Sequence, residues 1–370
     1  MMAKQAQHDY IYYGTRAKAG EVSDFVQHVL AANLRAEARG QRKTPICIWG
    51  RHGIGKTEIV QSLAQELNYA FRYIAPAQFE EMGDLVGMPA IENGRTVFRA
   101  PEWVPESEGP GILLIDDANR ADDRILRGIM QLLQNFELVS WKLPPKWQII
   151  LTANPDGGDY SVTPMDDAMI TRMMHITLEF DPQEWAKWAE RNKIDHRGIS
   201  FVLTYPEMVT GIRTTPRTLV QFFENIAAID NLGANLGLVR SLADSCLDDN
   251  TATAFIAFVN QELRALITPE QICDAADFQT EVRRPLERIV QQRSLRVDIL
   301  ATIATRLANF LLADGFNPTT NQLKNVAEFL KLSLLPNDLR LTLLQDLAGT
   351  DLLSRLLEDQ EISQIFLDGM

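Results

Sequence analysis

The stretch Gly50-Arg51-His52-Gly53-Ile54-Gly55-Lys56-Thr57 has the residue types and spacing needed to hold a polyphosphate. It fits G-x-x-x-x-G-K-[ST], the pattern of a phosphate-binding loop. Glycines let the backbone curl so that its N–H groups converge on the β- and γ-phosphates. The positive end of the helix that follows, with Glu58 in its first turn, adds to that field. Lys56 supplies a point charge to the phosphates, and Thr57 supplies a hydroxyl ligand for Mg²⁺. The loop from Gly50 to Glu58 is therefore the expected nucleotide-binding segment.

A second group of residues suits metal and water chemistry. Gly111-Ile112-Leu113-Leu114-Ile115 is an apolar run that ends in Asp116-Asp117, the Walker B pattern. A parallel strand buried on both faces delivers such a carboxylate at its C-terminal edge, beside the phosphate loop. Asp116 would hold Mg²⁺ through water, and Asp117 would orient or deprotonate the attacking water. Trp147-Gln148-Ile149-Ile150-Leu151-Thr152 is another buried strand, followed by Ala153-Asn154-Pro155. At that strand end Asn154 can hydrogen-bond the nucleophilic water, although a turn residue before proline is the plainer alternative. Arg172 is a candidate finger arginine for a neighbouring subunit's nucleotide, or a surface ion-pair residue. Arg217 falls in the first turn of a predicted helix, where it could meet a phosphate.

These side chains need a scaffold, and the apolar pattern supplies one. Thr44-Pro45-Ile46-Cys47-Ile48-Trp49 reads as a buried parallel strand, and Ile59, Val60, Leu63, Ala64 and Leu67 recur at helical spacing after the loop. Upstream, Val22 to Arg39 predicts a helix stopped at Gly40. Phe71 to Ile74 reads as a second strand. Residues 76–105 lack helical periodicity and carry a hairpin signal at Glu92-Asn93-Gly94. Ile125, Leu126, Ile129, Met130, Leu133 and Phe136 form one helix face, Leu138 to Leu143 a short hairpin, and Met165 to Arg172 a short helix before a last strand, His175 to Leu178. From Asp181 the pattern is helical, with Trp185 and Trp188 packing one helix. Thr215 caps another, with Pro216 in its first turn and Leu219, Val220, Phe223 and Ile226 on its core face. A leucine-rich C-terminal segment is broken into two helices at Gly349-Thr350. The fold class is α/β: a P-loop core with a parallel sheet flanked by helices, then an all-helical lid and C-terminal region. The expected divisions are 1–180, 181–265 and 266–370.

The 370 residues allow about two or three domains. No apolar run reaches the ~18 residues of a membrane span. Met1 to Tyr10 is polar with no signal core, which points to the cytoplasm. Cys47, Cys246 and Cys273 read as reduced core residues. His8, His28, His52, His175 and His196 have no metal-ligand spacing. The net charge of −13, from 49 acidic and 36 basic residues, argues against a dedicated duplex-DNA binder. Asn192-Lys193-Ile194-Asp195 matches the guanine-reading pattern N-K-x-D, but it follows a helical run where a buried strand is required. ATP is the nucleotide this reading favours.

The order of these motifs resembles the MoxR-type AAA+ ATPases, in the broader set with a hairpin inserted beside helix two. The resemblance rests on Gly50 to Thr57, Asp84-Leu85-Val86-Gly87, Leu113 to Ala121, Leu151 to Pro155, Ala168 to Arg172 and Thr215-Pro216-Arg217, and covers about residues 43 to 225. It implies a homo-oligomeric ring, usually a hexamer, with ATP bound between subunits. Arg172 would then act in trans, Asn154 as the first sensor and Arg217 as the second. Arg120, in the Asn119-Arg120 pair, would lie near the subunit interface. The segments Thr96 to Pro105 and Leu138 to Leu143 stand where the family has inserts facing a pore or partner. Partners of the family often carry von Willebrand factor A domains, and members act as chaperones that mature or activate other complexes. The family mostly has Asp-Glu where this chain has Asp116-Asp117. The shorter Asp117 would stand about one methylene further from the water, which predicts slow hydrolysis. Two other readings stand beside the remodelling ATPase: an ATP-dependent assembly scaffold with little turnover, and a nucleic-acid motor or loader.

Overall fold

In the computed structural model, which describes residues 11, 13–155, 162–209, 211–260, 267–290, 297–312 and 317–368, the chain divides into two units, Met1–Asp181 and Pro182–Met370. The polar segment Met1 to Tyr10, with His8, lies outside the described residues. So does the expected boundary at 265/266.

The first unit runs β1 (Thr15–Ala17), α1 (Ala19–Ala38), β2 (Ile46–Trp49), α2 (Lys56–Glu66), β3 (Ala70–Ile74), α3 (Met82–Val86), β4 (Met88–Glu92), β5 (Arg95–Arg99), β6 (Gly111–Ile115), α4 (Asp123–Asn135), β7 (Glu137–Leu138), β8 (Trp141–Lys142), β9 (Trp147–Ala153), α5 (Asp167–Ile170) and β10 (Met174–Leu178). Six strands form one parallel sheet in the order β1-β10-β2-β9-β6-β3. β2, β6 and β9 are buried along their whole length, as near-continuous apolar runs require when helices cover both faces. On one face Ile46, Ile48, Ile112, Leu114 and Ile150 meet Val22, Val26 and Leu30 of α1 and Val60 and Leu63 of α2. On the other, Cys47, Trp49, Leu113, Ile115 and Leu151 meet Ile125, Ile129 and Leu133 of α4. Each such fully buried aliphatic side chain contributes about 1.5–3 kcal/mol of transfer free energy. Asn33 fixes the entry to β2: its amide donates to Thr44 O at 2.8 Å and its oxygen accepts from Thr44 N at 2.9 Å.

The expected hairpin at Glu92-Asn93-Gly94 is present. Asn93 and Gly94 both have positive φ (51° and 74°), as a two-residue primed turn demands, and β4 pairs with β5 antiparallel. Asp84 to Val86 lie in α3, a short helix that the missing periodicity had concealed. It ends at Gly87, where φ is 93° and a Cβ would stand 1.8 Å from Arg99 O, so only glycine fits. The β4–β5 and β7–β8 hairpins are docked together. Phe98 N donates to Ser140 Oγ (2.9 Å), Trp141 Nε1 to Val86 O (2.9 Å), and the Trp103 and Trp141 rings meet edge-on at 5.4 Å. Met88 and Ile91 remain 73% and 83% exposed.

Other details of this unit also differ from the sequence reading. β1, a three-residue edge strand on β10, is too short to show a pattern. The helix expected over Met165 to Arg172 is confined to Asp167–Ile170, with Asp166 as its N-cap and Arg172 in the turn beyond it. Phe136 is not in α4 but follows it as a left-handed C-cap, φ 57°.

The second unit is helical among the described residues. It opens with α6 (Pro182–Arg191), α7 (His196–Thr204) and α8 (Pro216–Ala227), and further helices run from Leu236–Cys246 to Gln360–Asp368. Trp185 and Trp188 pack on Ala186, Ala189 and Ile199. Asn192 and Lys193 form the turn after α6 and Asp195 caps α7, so the N-K-x-D match ends no strand. Thr215 caps α8 by accepting from Thr218 N, and the buried face is Leu219, Phe222, Phe223 and Ile226, with Val220 only half-buried. The leucine-rich end forms three helices where two are expected, Asn337–Asp346, Asp351–Leu356 and Gln360–Asp368: the first break falls at Gly349 and Thr350, and a second turn before Gln360 adds the third. Among the described residues no helix is long and apolar enough to cross a membrane. Cys47 and Cys273 are buried, Cys246 is half-buried, and all three are free thiols.

Candidate functional site

The sheet order decides which side chains can meet. β9 lies between β2, which feeds the phosphate loop, and β6, which ends in the two acids. The residue just past β9 therefore stands between loop and carboxylates. That residue is Asn154.

The loop itself turns on two glycines. Gly53 has φ 68° and Gly55, the N-cap of α2, has φ 104°, conformations that a side chain disfavours. Lys56 is the first residue of α2 and is only 5% exposed. Its Nζ donates to Gly50 O (2.8 Å), Arg51 O (3.1 Å) and Asn154 Oδ1 (3.1 Å). A buried ammonium at the turn of a phosphate-type loop is a strong site for an incoming anion. Arg51, His52, Ile54 and Thr57 are half-buried around the same turn, and Glu58 is exposed.

Asp116 takes hydroxyls on both oxygens. Thr57 Oγ1 (2.7 Å) and Thr152 Oγ1 (2.6 Å) donate to Oδ1, and Tyr73 OH donates to Oδ2 (3.1 Å). Because Thr57 gives its proton to Asp116, its lone pairs are left for a cation. A carboxylate and a hydroxyl set against a phosphate loop are hard oxygen donors and fit Mg²⁺, which is bound by few protein ligands and keeps its waters. Thr57 would hold the ion directly and Asp116 through water. The ion would supply charge neutralisation between the phosphates.

Asp117 adopts a left-handed conformation, φ 47° and ψ 45°, with its N–H held by Thr152 Oγ1 at 2.8 Å. Its Oδ1 accepts from Asn154 Nδ2 at 3.0 Å, and its Oδ2 pairs with Arg120 Nε at 3.2 Å. Asn154 thus gives its amide oxygen to Lys56 and its amide nitrogen to Asp117, which fixes the orientation of the group. Asn119 clamps it from behind: Asn119 Nδ2 donates to Asn154 O (2.8 Å) and Asn154 N donates to Asn119 Oδ1 (3.0 Å), both residues fully buried.

Lys56, Thr57, Asp116, Asp117 and Asn154 are therefore brought into one hydrogen-bonded network. Arg172 is not part of it. Its Nε and Nη2 both donate to Gln134 Oε1 at 3.2 Å, and Nη1 donates to Ala168 O. Arg217 belongs to the second unit and is exposed in the first turn of α8.

Sequence reasoning gave no role to Tyr73, Thr152 or Asn119. Thr152 had a usable signal, a hydroxyl inside a fully buried strand, which needs a partner. Asn119 entered only through the family pattern. Tyr73 had no signal, since an aromatic residue in an edge strand is ordinary.

Residues 45–173 match the model of the AAA domain of the dynein-related subfamily. This segment resembles an AAA+ domain. Among curated proteins, midasin of Giardia intestinalis is 28% identical over 174 residues, which is 44% of this chain and 4% of midasin. The chromosomal replication initiator protein DnaA of Neisseria meningitidis serogroup C is 27% identical over 253 residues, 66% of this chain and 45% of DnaA. The chain thus spans less than half the length of these relatives. The RuvB Holliday junction branch migration motor of Thermotoga maritima overlays 80% of this chain and 90% of its own, with 16% identity and a TM-score of 0.35. A superposition this loose carries no functional weight.

Proposed function

We propose that the AAA+ domain binds ATP with Mg²⁺ and hydrolyses it slowly, working as a MoxR-like ring that remodels or activates a partner protein complex. The observation that carries this reading is the continuous network Lys56–Asn154–Asp117, which links the phosphate-holding cation to the acid poised for water. In this reading Gly50 to Glu58 cradle the phosphates, Thr57 and Asp116 hold the metal, Asp117 activates water and Asn154 senses the γ-phosphate. Arg172 acts on a neighbouring subunit's nucleotide and Arg217 closes from the lid, residues 181–265. The ring is a homo-oligomer, by family habit a hexamer. The exposed Met88 and Ile91 of the β4–β5 hairpin suit contact with a client, for which a von Willebrand factor A domain is the first candidate to test.

The test is steady-state ATP hydrolysis across protein concentrations, alone and mixed with Arg172→Ala. Turnover per subunit that climbs with concentration and is poisoned by the variant supports a shared site. Turnover independent of concentration overturns it.

A second reading is favoured by one contact. Arg120 pairs with Asp117 and engages the carboxylate that would serve the water. An ATP-dependent assembly scaffold with little turnover follows if that pair persists with nucleotide bound; ATP-driven assembly without phosphate release would mark it. The Neisseria relative's name brings in a third, a nucleic-acid motor or loader. Salt-sensitive stimulation of turnover by an oligonucleotide would be its signature.

A further inference from the structure

The acid at the end of β6 is held more tightly than a metal site needs from its loop threonine alone. An ionised carboxylate offers about four acceptor positions, two on each oxygen. Thr57 and Thr152 occupy both positions on Oδ1 of Asp116, and Tyr73 occupies one on Oδ2. Among the described residues, one Oδ2 position is left.

The three donors differ in what they can do. Thr57 sits in the first turn of α2, directly after the phosphate loop. Thr152 Oγ1 accepts from Asp117 N, so its own proton is committed to Asp116 and its position to β9. Both act on the same oxygen, about which the carboxylate can still swing. Tyr73 comes from the outer strand β3 and grips the other oxygen. β3 pairs with β6 in register, Tyr73 opposite Leu114, so Tyr73 and Asp116 point to the same face of the sheet. Asp116 N also donates to Ile74 O at 2.8 Å, which ties the acid's backbone to that strand.

The geometry points to Tyr73 as a positioning residue for the Mg²⁺ site: its phenol fixes the plane of Asp116 so that the remaining Oδ2 lone pair meets a metal-bound water. This rests on the ATP–Mg²⁺ reading above. Tyr73 is 47% exposed, so Tyr73→Phe removes the hydroxyl with little change to the core.

The experiment is a Mg²⁺ titration of fluorescent-ATP binding to the full chain, for wild type, Tyr73→Phe and Thr152→Val, with a parallel titration in a chelator. Losing one hydrogen bond to an ionised acceptor at a half-exposed site corresponds to about a fivefold rise in the half-saturating Mg²⁺ concentration. Nucleotide affinity without metal is expected to stay unchanged for Tyr73→Phe. Thr152→Val, which also releases Asp117 N, is expected to raise the Mg²⁺ requirement further. A Tyr73→Phe midpoint equal to wild type overturns the inference, and so does an equal loss of affinity with and without metal, which marks a merely structural role. If wild type itself shows no Mg²⁺-dependent nucleotide binding, the ATP reading falls and this inference falls with it.

Discussion

Lys56 and Asn154 are joined by a 3.1 Å hydrogen bond from the ammonium to the amide oxygen. The amide nitrogen of the same asparagine holds Asp117. A phosphate arriving at Lys56 competes for the ammonium protons, so nucleotide binding and the placement of Asp117 are coupled through one side chain. Lys56→Ala is expected to weaken ATP binding by about 10- to 100-fold, the value of one or two charge-assisted hydrogen bonds. Equilibrium binding of a fluorescent ATP analogue measures it, and a change below threefold would remove Lys56 from the site.

Asn119→Ala deletes both hydrogen bonds to the Asn154 backbone and leaves a buried N–H and C=O unsatisfied. The expected cost is about 2–4 kcal/mol of domain stability. Thermal unfolding should move down by several degrees, and turnover should fall with it because Asn154 loses its backing. A midpoint unchanged within a degree would show that water replaces the clamp.

Asp117 stands between the hydrolysing reading and the scaffold reading. Asp117→Asn is expected to abolish hydrolysis while leaving ATP binding in place, because the amide cannot take a proton from water. Asp117→Glu extends the carboxylate by one methylene and is expected to raise turnover if reach limits the rate, since misplacement by about an ångström can cost ~100-fold. Single-turnover phosphate release decides between them. A Glu variant no faster than wild type would point to the Arg120 pair as the restraint.

In the second unit, Glu190 carries a pH dependence of folding. Burial pushes its carboxyl above the ordinary value of 4.5, against the pull of Arg306 at 3.2 Å, whose side chain is 1% exposed. A raised folded-state pKa means the native state holds the proton more firmly than the unfolded chain. The contribution is therefore full below pH 4.5 and is lost as the pH rises through the raised value. Glu190→Gln is expected to flatten that part of the stability–pH curve. It also leaves Arg306 buried without its counter-ion, which costs about 3–5 kcal/mol. Urea midpoints measured from pH 4 upward test both statements; an unchanged slope would assign the dependence elsewhere.

Features whose chemistry is local are legible in residue order. The spacing of Gly50 to Thr57, the apolar run into Asp116-Asp117 and the buried strand before Asn154 are consequences of period and residue type, and the structure places all of them at the strand ends they require. The Asn93-Gly94 turn and the Thr215 cap were legible for the same reason, since each is set by dihedral preference within a few residues. Contacts that cross between strands depend on the folded sheet. β9 inserts between β2 and β6, so Asn154 meets both Lys56 and Asp117, although they lie far apart in the chain. Tyr73 reaches Asp116 only because β3 pairs with β6 in one particular register. Arg120 pairs with Asp117, whose left-handed backbone no pattern announces. Register and strand order are settled by the packing of whole apolar faces, a sum over the sheet, which no short window of sequence contains.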